Sequence, residues 1–347
     1  MVATYKKYML NFKRPSGTSR GILKTKETWF LLLNDGTKTG VGECGILRTL
    51  SVEDRPDYED TLKWVCANIS LGKDKLWAAL KEFPSIQFGV EIAFKSLESE
   101  HPFTLFPSMF TRGKDAIPIN GLIWMGEKSF MKAQIKEKLD QGFNCIKLKI
   151  GAIDFDKELE LLNYIRTQYA SDTIEIRVDA NGAFDPTDAL DRLERLSQYD
   201  LHSIEQPIKA GQIDDMHELC KKTSLPIALD EELIGIFELS DKKELLDQIQ
   251  PQYIILKPSL IGGFKGTQEW IDLAEERHID WWITSALESN VGLNAIAQYT
   301  YTLQSNLPQG LGTGALYTNN FQSPLHVENG KLYYRAPFEW DVPYLKK

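Results

Sequence analysis

The sequence predicts an α/β protein in which a parallel (β/α) barrel follows a smaller α+β capping domain. Three observations carry this. The chain has 347 residues, enough for a barrel of roughly 200–250 residues and one partner domain. From about Ile117 onward, short apolar runs alternate with amphipathic stretches, the rhythm of strand followed by helix. Charged residues recur near the ends of those runs at the same interval.

Taken in order, residues 1–115 are expected to form the capping domain. TYKKYMLNF and ETWFLLLND read as hairpin strands around RPSGTSRG, which is rich in turn residues. YEDTLKWVCANIS and IQFGVEIAFKSLESE then read as helices, and strands followed by helices suggest α+β. Residues 116–315 hold the barrel. Its strands are IPINGLIW, CIKLKI, IEIRVDA, HSIEQPI, LPIALDE, YIILKPS, DWWITSA and QGLGTGA, giving seven or eight units with helices such as FDKELELLNYIRTQYA between them. A doubly wound open sheet is the architectural alternative, but no GxGxxG turn follows an early strand. Residues 316–347 have strand-and-turn character and are expected to return to the capping domain.

Catalytic side chains of such a barrel stand at the C-terminal ends of its strands. There the sequence places Lys147 and Lys149, then Asp179, Glu205, Asp230 and Lys257, with successive gaps from Lys149 of 30, 26, 25 and 27 residues. Each gap is one β/α unit, so all six can meet on one rim. Lys147 and Lys149 differ by two and therefore share a strand face. An isolated KxK usually marks a solvated surface strand, but CIKLKI should be covered on both sides. Two buried ammonium groups need negative charge beside them, which Asp179, Glu205 and Asp230 supply.

Three carboxylates on adjacent strands repel one another unless a cation lies between them. Hard oxygen donors suit Mg2+, with Mn2+ as a substitute. Such a set matches removal of a proton next to a carboxylate, because a divalent cation stabilises the developing enediolate charge. A lysine serves as base if its pKa falls toward neutrality. Lys149 is the expected base on one face, with Lys257 opposite.

The runs GFNCIKLKIG, RVDANGAF, SIEQPI, LPIALDE, IILKPSLIGG and SALESNVGLNAIAQ resemble the enolase superfamily, muconate-lactonising subgroup. The resemblance covers about residues 115–315. It implies a modified (β/α)7β TIM-type barrel, with Lys149 as base, Lys147 assisting it, Lys257 closing the sixth strand, and Asp179, Glu205 and Asp230 as magnesium ligands. PQGLGTGALYTNN at the last strand carries Gly312, Thr313 and Gly314 where dipeptide epimerases usually place an Asp-x-Asp pair. A site without that anchor suits a substrate without an amine. The resemblance then implies syn dehydration of 2-succinyl-6-hydroxy-2,4-cyclohexadiene-1-carboxylate, a step of menaquinone biosynthesis. Candidate substrate contacts are Ser19, Arg20, Asn181, Glu288, Gly312 and Thr313. A surface turn competes with this role for Arg20, and a structural hydrogen bond competes for Glu288. RPSGTSRG and GILRTLS resemble the mobile loops of the subgroup's capping domain.

Other features narrow the class. The formal charge is −9, from 40 basic and 49 acidic residues, and no long basic run invites nucleic acid. No window approaches 18 apolar residues, so no membrane partner is expected. Cys44, Cys66, Cys145 and Cys220 lack metal-ligand spacing, which favours a reduced, cytoplasmic enzyme with a small carboxylate substrate. Homo-oligomerisation is left open. The rival readings are an N-acylamino-acid racemase or dipeptide epimerase, a Schiff-base aldolase, and a non-catalytic metal-binding barrel.

Overall fold

The computed structural model describes residues 1–18 and 21–342; Ser19 and Arg20 lie outside the described residues. The chain opens with an antiparallel sheet of β1 (Val2–Thr18), β2 (Gly21–Asn34) and β3 (Thr39–Gly45) in that order. The hairpin strands run further than the turn-rich composition suggests, pairing up to Thr18 and Gly21, with a register shift between Asn11 and Ser16. Three helices come next: α1 (Tyr58–Ala67), α2 (Lys73–Ala79) and α3 (Pro84–Glu98). Helix α3 is buried along almost its whole length, because it lies against β3 on one side and the barrel on the other. Its approach to the sheet depends on glycine. A Cβ on Gly42 would stand 1.9 Å from the Gly89 carbonyl oxygen.

After β4 (Ala116–Pro118), the chain runs through seven β/α units in sequence. They are β5 (Gly121–Ile123) with α4 (Lys128–Asp140), β6 (Cys145–Lys149) with α5 (Phe155–Arg166), and β7 (Glu175–Asp179) with α6 (Pro186–Ser197). Next come β8 (Ser203–Glu205) with α7 (Ile213–Lys222) and β9 (Ile227–Leu229) with α8 (Leu239–Ile249). Last are β10 (Tyr253–Leu256) with α9 (Gly263–Glu275) and β11 (Asp280–Ile283) with α10 (Asn290–Thr302). The strands pair in parallel from β5 to β11 without a crossover. Helix α10 is buried over most of its length, whereas α6, begun by Asp185 capping the Thr187 N–H and by Pro186 in its first turn, buries the stripe of Ala189, Leu193 and Leu196.

The eighth strand expected at QGLGTGA is reduced to a connecting segment. Gln309 bridges to Ile119 and Gly310 to Thr284, both in parallel sense, so these two residues join the first and last strands of the barrel. A Cβ on Gly310 would fall 1.9 Å from Thr284 Oγ1. The glycines that let this segment approach so closely also weaken it as a strand.

The chain's last described part does two things. β12 (Leu325–Glu328) and β13 (Lys331–Tyr334) form an antiparallel hairpin, and β13 pairs with β4. Phe321, Trp340 and Val342 pack with Phe30, Leu32 and Val41 of the opening sheet, and the Lys13 N–H donates to Leu316 O at 2.8 Å. Two glutamates from the opening domain reach helix starts in the barrel. Glu91 accepts from the backbone of Phe264 and Lys265 at α9, and Glu43 accepts from Ser289 and Gly292 at α10. Among the described residues no helix is long and apolar enough to cross a membrane.

Candidate active site

The parallel register sets the site. Lys149 is opposite Asp179 across β6 and β7, and Asp179 is opposite Glu205 across β7 and β8. Asp230 comes directly after β9 and Lys257 directly after β10. All six charged residues singled out by spacing therefore lie at one end of the barrel, joined by ion pairs. Lys147 Nζ is 2.9 Å from Asp179 Oδ2 and also pairs with Glu205. Lys149 Nζ lies 2.9 Å from Asp179 Oδ2 and donates to Asn181 Oδ1 at 2.6 Å. Lys257 pairs with Asp230. Asn181 adopts a left-handed φ of 46° and donates through Nδ2 to Glu231 Oε1 at 3.1 Å.

The carboxylates form the buried floor and the lysines stand above them. Asp179 is 0% exposed, while Glu205 and Asp230 are each 2%. The three lysines and Asn181 line a cavity of about 520 Å³, together with Gly312 and Thr313 from the closing segment. Ser285 and Thr313 share a hydrogen bond of 2.6 Å at its wall. Lys13, Leu47 and Leu50 complete it from the opening domain, so the GILRTLS loop does face the rim. Glu288 does not line the cavity. It is 1% exposed and turns toward Ser259.

The buried charges of the rim act strongly on one another. Burial pulls the Lys147 ammonium down, but Asp179 and Glu205 more than offset this and hold it above the ordinary lysine range. Lys257 is also raised, since Asp230 and Glu205 outweigh its burial. Burial tends to raise the Asp179 pKa, yet Lys147 and Lys149 hold it well below the usual carboxylate range. Glu205 goes the other way; burial, then the charges of Asp179 and Asp230, push it well above that range.

A divalent cation was expected between Asp179, Glu205 and Asp230. Among the described residues no group of three or more His, Cys, Asp or Glu is arranged ready to hold a metal ion, because the ammonium groups of Lys147 and Lys257 take carboxylate oxygens of the set. The donor chemistry nevertheless fits one. Glu205 Oε1 is buried with no partner and Oε2 is met only by the Lys147 ammonium, beside two further hard carboxylates that repel it. Such a surplus of buried acceptors is what a hard cation neutralises.

Sequence reasoning missed Glu231, the next residue after Asp230, which holds Asn181 and lines the cavity. The residue stands within LPIALDE, but spacing alone gives it no role. A strand-end rule selects one residue per unit and cannot tell that a short 3-10 turn, Glu231–Leu233, presents its neighbour. Ser285 was missed for the same reason.

Residues 130–337 match the family model described as enolase C-terminal domain-like. The chain is 47% identical to the o-succinylbenzoate synthase of Desulfotalea psychrophila, over 96% of this chain and 98% of that protein. The crystal structure of MenC from Desulfotalea psychrophila superposes with a TM-score of 0.86 at 44% identity, covering 96% of this chain and 99% of that one. The L-Ala-D/L-Glu epimerase of Francisella tularensis subsp. novicida is 26% identical over 67% of this chain and 65% of that protein.

Proposed function

The chain belongs to the enolase C-terminal domain-like family, and on that premise we propose how it carries out the o-succinylbenzoate synthase reaction. It is a hydro-lyase that dehydrates 2-succinyl-6-hydroxy-2,4-cyclohexadiene-1-carboxylate to 2-succinylbenzoate, a step toward menaquinone. The observation that carries this is the likeness to the Desulfotalea psychrophila enzyme along nearly the full length of both chains.

In our reading Lys149 takes the proton from the ring carbon that bears the carboxylate. The electron pair left behind spreads into the carboxylate as an enediolate. The same lysine then returns the proton to the departing hydroxyl on the same ring face, releasing water and leaving an aromatic ring. Lys257, ion-paired with Asp230, stays protonated and stabilises the flat enediolate from the opposite side. Lys147 is tied to Asp179 and Glu205 and orients the rim. Asn181 accepts a hydrogen bond from Lys149 and so aims the base. Held by Asp179, Glu205 and Asp230, a magnesium ion (or manganese as substitute) would neutralise the carboxylates that favour protonated lysines and draw charge from the substrate carboxylate. Gly312 and Thr313 bring no carboxylate to the cavity wall, which suits a substrate without an amine.

An absorbance assay tests this reading: the cyclohexadiene should aromatise with added magnesium and stop doing so under a chelator. Absence of aromatisation at any magnesium concentration would refute it. A second reading, racemisation of an N-acylamino acid, draws on the same two lysines approaching from separate strands. Its signature is deuterium uptake from heavy water without loss of water from the substrate.

A further inference from the structure

A second buried charge cluster lies where the opening sheet meets the barrel. Lys26 of β2 is 4% exposed, and its ammonium has no hydrogen-bond partner. Gly45 lies close beside it; a Cβ there would stand 2.6 Å from Lys26 Nζ. A lysine enclosed this way needs negative charge facing it. Glu43 of β3 and Glu288 of the loop before α10 provide it, and burial with partial relief from these two lowers the Lys26 pKa.

The two glutamates are unequally served. Glu43 accepts from Thr28 Oγ1 at 2.9 Å, the Ser289 N–H at 2.8 Å, the Gly292 N–H at 2.7 Å and the Ser289 hydroxyl. Its charge is well met. Glu288 accepts from Ser259 Oγ through one oxygen, and its other oxygen is buried without a hydrogen bond. The Tyr317 phenol, in the field of both carboxylates, donates instead to Leu287 O at 2.6 Å. The cation acting on Glu288 is Lys26. Ser259 in turn sits in the 3-10 turn Pro258–Leu260 just after Lys257, and the Leu260 N–H closes that turn onto Lys257 O at 2.8 Å.

We propose that Lys26 is a positioning residue for the barrel: its charge holds Glu288 as the acceptor for Ser259, and this contact fixes the turn that presents Lys257 to the cavity. The opening domain thereby contributes a cation that the barrel lacks at this point, so the geometry of Lys257 depends on the docked sheet. This rests on the functional reading above only in taking Lys257 as part of the reacting set.

The test is steady-state kinetics of the full chain as wild type, Lys26→Met, Glu288→Gln and the double variant. Methionine keeps the length of the side chain and removes its charge; the glutamine amide can accept from Ser259 with no cation beside it. Lys26→Met should lower kcat at least about tenfold with KM within about threefold. In the Glu288→Gln background the same change should move kcat by less than about twofold. An equal loss in both backgrounds, or no loss in either, overturns the proposal. Should Lys26→Met alone fail to fold, the double variant compared with Glu288→Gln decides. A ratio near one supports the proposal and a loss of about tenfold defeats it. Wild-type turnover, measured first, tests the functional reading by itself, so the two ideas fail separately.

Discussion

Arg177 and Asp179 stand two residues apart on β7 and point into the same barrel interior, yet their surroundings differ in kind. Toward the lower end, the Arg177 guanidinium donates to Glu175 at 2.7 Å and to Pro308 O at 2.9 Å, and it stacks 4.1 Å from the centroid of Trp282. One cation meets one anion, and two of its three nitrogens are hydrogen-bonded. Toward the upper end, one Asp179 oxygen, Oδ2, is shared by two lysines, while Glu205 has the Lys147 ammonium at Oε2 and no partner at Oε1. The lower cluster satisfies its charge internally. The upper one crowds three lysines and three carboxylates into a buried site and leaves one Glu205 oxygen without a partner, and burying so many charges is costly to the fold. Crowded, incompletely satisfied buried charge is what a reaction site retains for its substrate and cofactor.

If this contrast is right, variants at the two ends should separate activity from stability. The largest effect is expected from Lys149→Ala, which should lower kcat by on the order of 10³-fold. Its thermal midpoint should stay close to that of wild type, and near-normal turnover would break the contrast at its centre. Glu205→Gln should weaken magnesium binding by on the order of 10²-fold in a calorimetric titration. Because it removes one of three repelling carboxylates, it should leave the urea midpoint unchanged or higher. Arg177→Met is expected to show the reverse pattern. Removing the buried guanidinium from Glu175, Pro308 O and the Trp282 ring should cost about 3 kcal/mol in denaturant unfolding, with kcat within about twofold of wild type.

The smallest effect sharpens the contrast through pH. Glu158 of α5 accepts from the Gly151 N–H at 2.6 Å, just after the strand that carries Lys149, and burial pushes its pKa up to about 7. A carboxyl group raised on folding binds its proton more tightly in the native state. Its stabilisation is therefore complete below the unfolded pKa of about 4.5 and is lost as pH rises through about 7. Wild type should lose on the order of 1–2 kcal/mol across that window, and Glu158→Gln should flatten the curve.

Much of the rim was legible because two periods coincide. One β/α unit returns the chain to the same end of the barrel, and two residues along a strand return it to the same face. Together they locate Lys147, Lys149, Asp179, Glu205, Asp230 and Lys257 without further information. Residues just past a strand end obey neither period. Glu231 enters the cavity through a tight turn, and Glu288, in the loop between the seventh strand and α10, turns away toward Ser259. Lys26 was invisible for another reason. On a hairpin strand a lysine reads as solvated, and its burial comes from docking against residues more than 200 positions away. The closing strand at QGLGTGA was overestimated, since its glycines serve close approach rather than extended pairing.

The most direct test of the crowded, incompletely satisfied upper end is an anomalous difference map from a crystal soaked in Mn2+. The account predicts one strong peak among the Asp179, Glu205 and Asp230 carboxylates, at oxygen distances of roughly 2.0–2.3 Å, with the Lys147 ammonium withdrawn from Glu205. A map with no peak there, or with manganese bound elsewhere and Lys147 still paired to both Asp179 and Glu205, would contradict it.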